Sequence, residues 1–197
     1  MSADDFLDRV FANLPRPAGR FEYKAWRHGG RPTQEGVGIL PATGVDVSRM
    51  ADAVLDLDHY RGNIDYVEEA RIVADPRFSP PQTTRFYQRV KIPVLGSLHH
   101  ELLMEDKGER DGWRVLSWYH LGPENDRLDA GKGARTEYNI GAWLIKPDAV
   151  AYALSSCPRK GDVGRLKFAA LTRGADAGAA KVLQGNIEGM LAWSRRR

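Results

Sequence analysis

Between Tyr66 and Ile145 the chain runs through five stretches with strand character and no helix between them, and this constrains the fold more than any other feature. The stretches are Tyr66 to Val73, Thr83 to Val94, Leu98 to Glu105, Trp113 to Leu121 and Arg135 to Ile145. Turn signals separate them at Asp75-Pro76, Pro80-Pro81, Lys107-Gly108, Asp111-Gly112 and Gly131 to Gly133, a spacing that favours an antiparallel meander. Parallel neighbours would need crossover helices, which this region lacks. Val150 to Cys157 reads as one further strand.

Upstream, Phe6, Leu7, Val10 and Phe11 fall at helical spacing within Ala3 to Asn13, and Pro15 and Pro17 stop that helix. Phe21 to Ala25 and Glu35 to Leu40 form a hairpin turned at Gly29-Gly30. Asp46 or Ser48 caps a second helix over Arg49 to Leu57, where Met50, Ala53, Val54 and Leu57 make the apolar stripe. Gly174 to Arg196 predicts the longest helix, with Ala180, Leu183, Ile187, Met190 and Leu191 on one face. Gly178, Gly185 and Gly189 each cost that helix about 1 kcal/mol relative to alanine, which close approach to the sheet or to a ligand would justify.

An antiparallel sheet with an apolar face needs a cover, and the last helix is the only long amphipathic element after it. The expected class is therefore α+β, a curved antiparallel sheet wrapped round a long C-terminal helix with a cavity between them. With 197 residues and no composition break, one domain is expected: an N-terminal helix and linker over 1–18, then a body over 20–197. The single cysteine, Cys157, excludes an internal disulfide framework and Cys-rich zinc sites and fits a reducing compartment. Met1 to Asp8 carry three aspartates and no apolar h-region, so no secretory signal is read there. The longest apolar candidate, Ile140 to Leu154, is broken by Lys146, Pro147 and Asp148 before it could span a bilayer. Cytoplasmic location is the expectation.

Lys plus Arg number 29 against 26 Asp plus Glu, and the two signs are interleaved along the chain. A nucleic-acid partner, which needs a basic stripe, is therefore not expected. Arg195, Arg196 and Arg197 form the only basic run and read as a frayed, solvated tail, with transient contact to anionic lipid as the alternative.

Several strings carry a resemblance. Met50 to Tyr60 followed by Ile64 to Val73, then Phe86 to Leu95 and Leu98 to Met104 joined across Pro93, then the closing helix, resemble the START-like (SRPBCC) helix-grip superfamily. That superfamily holds START lipid-transfer domains, polyketide cyclase-like proteins and coenzyme Q-binding proteins. The resemblance covers roughly Phe21 to Arg196 and implies a helix-grip fold around a hydrophobic ligand. Where START members often have an Arg-Asp pair entering the fifth strand, this chain has His99-His100-Glu101, so the resemblance alone does not single out a sterol or phospholipid ligand. Pro93, which cannot donate to a ladder, suits an edge or bulge.

Adjacent strand residues point to opposite faces, so His99 and His100 cannot serve one metal ion. If Leu98, Leu102 and Met104 face the cavity, so does His100, while His99, Glu101 and Glu105 face out; Leu103 argues for the reverse parity. Trp113, Trp118, Tyr119, His120, Tyr138 and Trp143 suggest an aromatic-lined pocket with a few polar anchors, or ordinary core. Asp56 and Asp58 diverge on a helix and read as solvated, Cys157 as a bystander thiol, and Gly131-Lys132-Gly133 as a turn.

The expected ligand-contacting set is Arg61, Phe86, Val90, His100, Leu102, Met104, Trp118, His120, Tyr138, Ile140, Leu183 and Ile187. No catalytic residue, metal or cofactor is assigned. The leading reading is a carrier or sensor of a lipid, sterol, quinone or polyketide-like molecule. The alternative is a cyclase or aromatase in which His100 or His120 acts as general acid or base beside Tyr119 or Tyr138. A third is an interaction module with a filled interior.

Overall fold

Alternation along the strands explains why the sheet is covered twice. In the computed structural model, Trp143 and Ile145 belong to one buried cluster and their neighbours Ala142 and Leu144 to another, on the opposite face. The structure describes residues 3–92 and 96–197; for residues 170–177 it describes the backbone only.

The elements run α1 (Ala3–Asn13), β1 (Glu22–Trp26), β2 (Glu35–Pro41), α2 (Val47–Leu55), β3 (Val67–Ile72), β4 (Thr83–Ile92), β5 (Gly96–Arg110), β6 (Trp113–His120), α3 (Gly122–Asp126), β7 (Ala134–Lys146), β8 (Ala149–Pro158), α4 (Lys160–Val163) and α5 (Arg165–Arg196). The strands form one curved eight-stranded sheet in the order β1-β2-β8-β7-β6-β5-β4-β3. Neighbours are antiparallel throughout, as the meander predicts, and the hairpin β1–β2 joins it by pairing β2 with β8. Beyond the end of β6 the start of β7 meets β5 directly in a short parallel contact, Leu98 with Ala134 and His99 with Arg135.

α1 covers the outer face with Phe6, Leu7 and Val10 against Val37, Ile39, Trp113 and Ile140. α2 and α5 cover the inner face, with Met50, Val54, Leu183, Ile187 and Met190 against Phe86, Leu102, Leu116 and Trp143. Asp46 rather than Ser48 caps α2, its carboxylate accepting from the Arg49 N–H at 3.0 Å.

Some expectations need correction. Lys107-Gly108 is no chain reversal: β5 runs through it with a bulge between Asp106 and Gly108. The reversal is at Asp111-Gly112, both at positive φ (51° and 73°), the pattern of a two-residue hairpin turn closing Arg110 on Trp113. α5 begins at Arg165, directly after Gly164 at φ 80°, and not at Gly174. Asp58 is exposed and Asp56 half-buried, and both have partners. Asp56 contacts His59 Nδ1 at 2.6 Å and accepts from Arg197 at 2.6 Å, and Asp58 caps the Ile72 N–H at 2.6 Å. The arginine tail is accordingly tied down, since Arg196 also donates to Asn63 Oδ1 at 3.0 Å. Pro93, expected at an edge or bulge, lies outside the described residues.

The glycines of α5 divide by environment. A Cβ on Gly189 would sit 2.8 Å from the Asn63 carbonyl oxygen, and one on Gly185 would sit 2.7 Å from Asp65 Oδ2. The helix therefore lies directly on the loop between α2 and β3. A Cβ on Gly178 would meet nothing within 4 Å, so close approach does not account for that residue. Gly178→Ala should raise stability by about 0.5–1 kcal/mol through helix propensity alone, whereas Gly189→Ala should lower it because backbone must shift. Urea denaturation of both variants checks the opposite signs.

Candidate functional site

The covering helix does not fill the inner face. Between α5 and the sheet lies a cavity of about 130 Å3, lined from β4 by Phe86, Gln88, Val90 and Ile92 and from β5 by Leu98, His100 and Met104. Trp118, Asn139 and Trp143 form its back wall, Tyr152, Leu154 and Ser156 of β8 one side, and Val182 and Asn186 the roof on α5. Tyr60 and Ile64 to Val67 form the lip, where Asp65 is exposed. The volume is close to that of an engineered core cavity that admits benzene, of order 150 Å3.

The aromatic wall is built on a missing side chain. Trp118 pairs with Gly141 across β6 and β7, and a Cβ there would lie 2.1 Å from Trp118 Cζ2. The indole lies over that glycine, stacks on Tyr152 at 5.4 Å between centroids and donates its N–H to Asn139 Oδ1 at 2.9 Å. Trp143 also packs on Tyr152, at 4.4 Å between centroids. Tyr60 donates its hydroxyl to the Val54 carbonyl at 2.5 Å, and burial holds the phenols of Tyr60 and Tyr152 well above the ordinary tyrosine range.

Strand parity is settled by the register. Leu98, His100 and Met104 face the cavity, and His99 and Leu103 face the opposite side of the sheet. His100 is 1% exposed and its Nε2 lies 3.1 Å from Gln88 Oε1. Burial, with His120 and His99 nearby, pushes its pKa down to about 3, so the ring is neutral at physiological pH. A neutral ring bonded to an amide oxygen through Nε2–H leaves Nδ1 as an acceptor, and that atom has no partner among the described residues. Asn186 Oδ1, on the roof, is buried and unpartnered in the same way. The Asn186 side chain lies close enough to the Tyr152 hydroxyl to oppose, in part, the effect of burial on that phenol.

Behind His100, Glu101 turns to the outer face and binds Arg85. Arg85 also donates to Asp75 at 2.9 Å, and Arg77 bridges Asp75 to Glu124 of α3 at 2.6 and 2.7 Å. Arg77, and then Arg85, hold the Asp75 carboxyl far below the usual carboxylate range. The acidic residue of the His-His-Glu string therefore joins an ion-pair chain outside the cavity.

Of the twelve residues expected at the site, Phe86, Val90, His100, Met104 and Trp118 line the cavity. Leu102, Leu183 and Ile187 lie on the same face within solid core. His120 stands opposite Leu102, beyond the lining, next to Asn125 of α3. Tyr138 and Ile140 are on the outer face, because the run 138, 140, 142 alternates away from Trp143. Tyr138 bonds Thr33 at 2.5 Å, and Ile140 packs in the cluster beneath α1. Arg61 is exposed in the lip loop and does not line the cavity. Trp113 and Tyr119 also belong to the outer face. Cys157 is buried there, and burial raises its thiol to about 11, which keeps it protonated. Gln88 was missed although it lies two residues from both Phe86 and Val90. Asn186 was missed although it is a polar residue three positions from Leu183 on the apolar stripe.

No protein-family model matches the sequence, and neither does any curated protein. Solved structures do. A STAR-related lipid transfer protein fragment from Xanthomonas axonopodis superposes with a TM-score of 0.72 at 13% identity, covering 92% of this chain and 97% of that one. The fold is that of the START domains. Human STARD10 gives 0.71 at 13% identity over 100% of this chain and 84% of its own. Human StAR-related lipid transfer protein 5 gives 0.61 at 11% identity over 97% and 95%. The helix-grip resemblance carried by the strings around Met50 and Phe86 thus extends to the START-like architecture as a whole.

Two tests follow from the cavity wall. Gly141→Val should destabilise the protein by about 1–3 kcal/mol, because the new side chain meets both the Trp118 ring and the Ala153 carbonyl; thermal unfolding reads it. The second concerns pH. His100 takes up its proton near pH 6.5 when unfolded but only near pH 3 when folded, so acidification through this window favours the unfolded state. Its contribution reaches about 1.4 kcal/mol per pH unit. His100→Gln should flatten the fall in stability between about pH 6 and pH 4, measured by denaturant titration at each pH.

Proposed function

We propose that this START-like protein binds an apolar small molecule in the cavity beneath α5 and carries or senses it. The observation that carries this reading is the cavity itself, with two tryptophans, a phenylalanine and aliphatic side chains around a small number of polar atoms, the composition of a small-molecule site. The similar solved proteins are named for lipid transfer, which supports the same reading. Phe86, Val90, His100, Met104 and Trp118 contact the ligand, Leu102, Leu183 and Ile187 support the wall from behind, and burial of apolar ligand surface supplies about 25 cal/mol per Å2. At about 130 Å3 the cavity fits one ring or a short chain, and a larger lipid requires its walls to part.

A cyclase reading gains no comparable support. A general base works best with a pKa near the operating pH, and His100 is held near 3 beside an uncharged amide. The proposal places the protein in a reducing, cytoplasmic setting with transient membrane contact during ligand exchange, and assigns no nucleic acid or cofactor. The single cysteine agrees with that setting, and among the described residues no helix is long and apolar enough to cross a membrane.

Native mass spectrometry of the protein purified from cells should show a retained apolar molecule that is lost on denaturation. Val90→Phe, which fills the cavity from the strand side, should reduce that occupancy about tenfold or more while leaving the circular dichroism spectrum unchanged. A cavity that stays empty across a panel of lipids, quinones and aromatic compounds would overturn the reading.

A further inference from the structure

Two buried polar atoms on residues that line the cavity lack partners, and both are acceptors. His100 Nδ1 and Asn186 Oδ1 are both buried, both lack a partner among the described residues, and stand on opposite sides, one on β5 and one on α5. Each is an acceptor: the N–H of the neutral His100 ring is on Nε2, given to Gln88 Oε1, and an amide oxygen such as Asn186 Oδ1 only accepts. Buried polar groups in native proteins are nearly always satisfied, so two unsatisfied acceptors on residues that line one space ask for donors from whatever fills it.

The charges agree. Among the described residues that line the cavity there is no lysine or arginine, and their one carboxylate, Asp65, stands at the lip. A carboxylate or phosphate drawn in beside His100 would find a neutral ring and uncharged amides, with no counter-charge among the described lining residues to offset its desolvation. The Asn139 carbonyl oxygen is held by the Trp118 N–H, which fixes the wall and removes one donor that could have served an anion.

We propose that the cavity selects uncharged apolar molecules that carry a hydroxyl or N–H donor, with His100 Nδ1 and Asn186 Oδ1 as the accepting atoms. The proposal rests on the binding reading above and adds the polarity of the ligand. It sorts ligands of equal size by hydrogen-bond direction: alcohols and phenols are accepted, hydrocarbons tolerated and acids rejected.

Three probes of similar ring size test this by isothermal titration: 4-ethylphenol, ethylbenzene and 4-ethylbenzoate. The phenol should bind about fivefold more tightly than the hydrocarbon, the gain of one net hydrogen bond, and the benzoate more weakly than both. In His100→Phe or Asn186→Leu the advantage of the phenol over ethylbenzene should shrink at least threefold while ethylbenzene still binds. Ethylbenzene bound as tightly as the phenol in the unmodified protein, or the benzoate bound best, would overturn the donor-selective reading and leave apolar binding intact. An advantage unchanged in both variants would also overturn it. Should none of the three probes bind, the binding reading itself fails. The comparison among probes in the unmodified protein does not depend on either variant folding.

Discussion

A wide sheet buried on both faces needs two covers, and here the covers are unequal. α1 lies on the outer face with Phe6, Leu7 and Val10 fully within its cluster. The inner face spans far more strand than one helix diameter can cover, roughly 10 Å against neighbours spaced near 4.8 Å. α5 therefore seals the middle of that face with Leu183, Ile187 and Met190, and α2 closes one end. What neither helix reaches, between α5 and strands β4 to β8, is the cavity. The internal space is a geometric remainder of the covering problem, and its lining is set by whichever side chains alternate inward there.

Close contacts keep the remainder open. Gly185 and Gly189 let α5 rest on Asp65 and on the Asn63 carbonyl, so the helix is braced on the lip loop. Arg196 and Arg197 fasten its end to Asn63 and Asp56. On the sheet, Phe21 lies over Gly38 and Trp118 over Gly141, each ring filling the space of an absent Cβ. The ion-pair chain through Asp75, Arg77, Arg85, Glu101 and Glu124 braces the same strands from outside. The walls are thus held by contacts that do not occupy the cavity.

How much of this was legible in the sequence depended on whether a signal was local. Turn residues and alternation carried the meander, and helical spacing carried α1, α2 and the stripe of α5. What failed was long-range or ambiguous. Lys107-Gly108 has the chemistry of a turn, and only pairing with β6 makes it a bulge. Leu103 beside Leu102 left the parity of His100 open until the ladder with β4 fixed it. Tyr138 and Ile140 looked like pocket residues because both faces of β7 are apolar, one facing the cavity and the other α1. Asn186 could have been found by asking why an amide sits on a buried stripe. Gly141 could not, since nothing near it in sequence shows that Trp118 crosses over it.

The aromatic wall has an optical consequence. Of the five tryptophans, Trp118 and Trp143 border the cavity, both against Tyr152, whereas Trp113 is buried in the outer-face cluster and Trp193, in the inner cluster, does not line it. Any molecule entering the space replaces void or water beside two indoles whose emission responds to their surroundings. The protein thereby carries a built-in spectroscopic gauge of its own occupancy, with two reporters at the cavity and the others as internal reference.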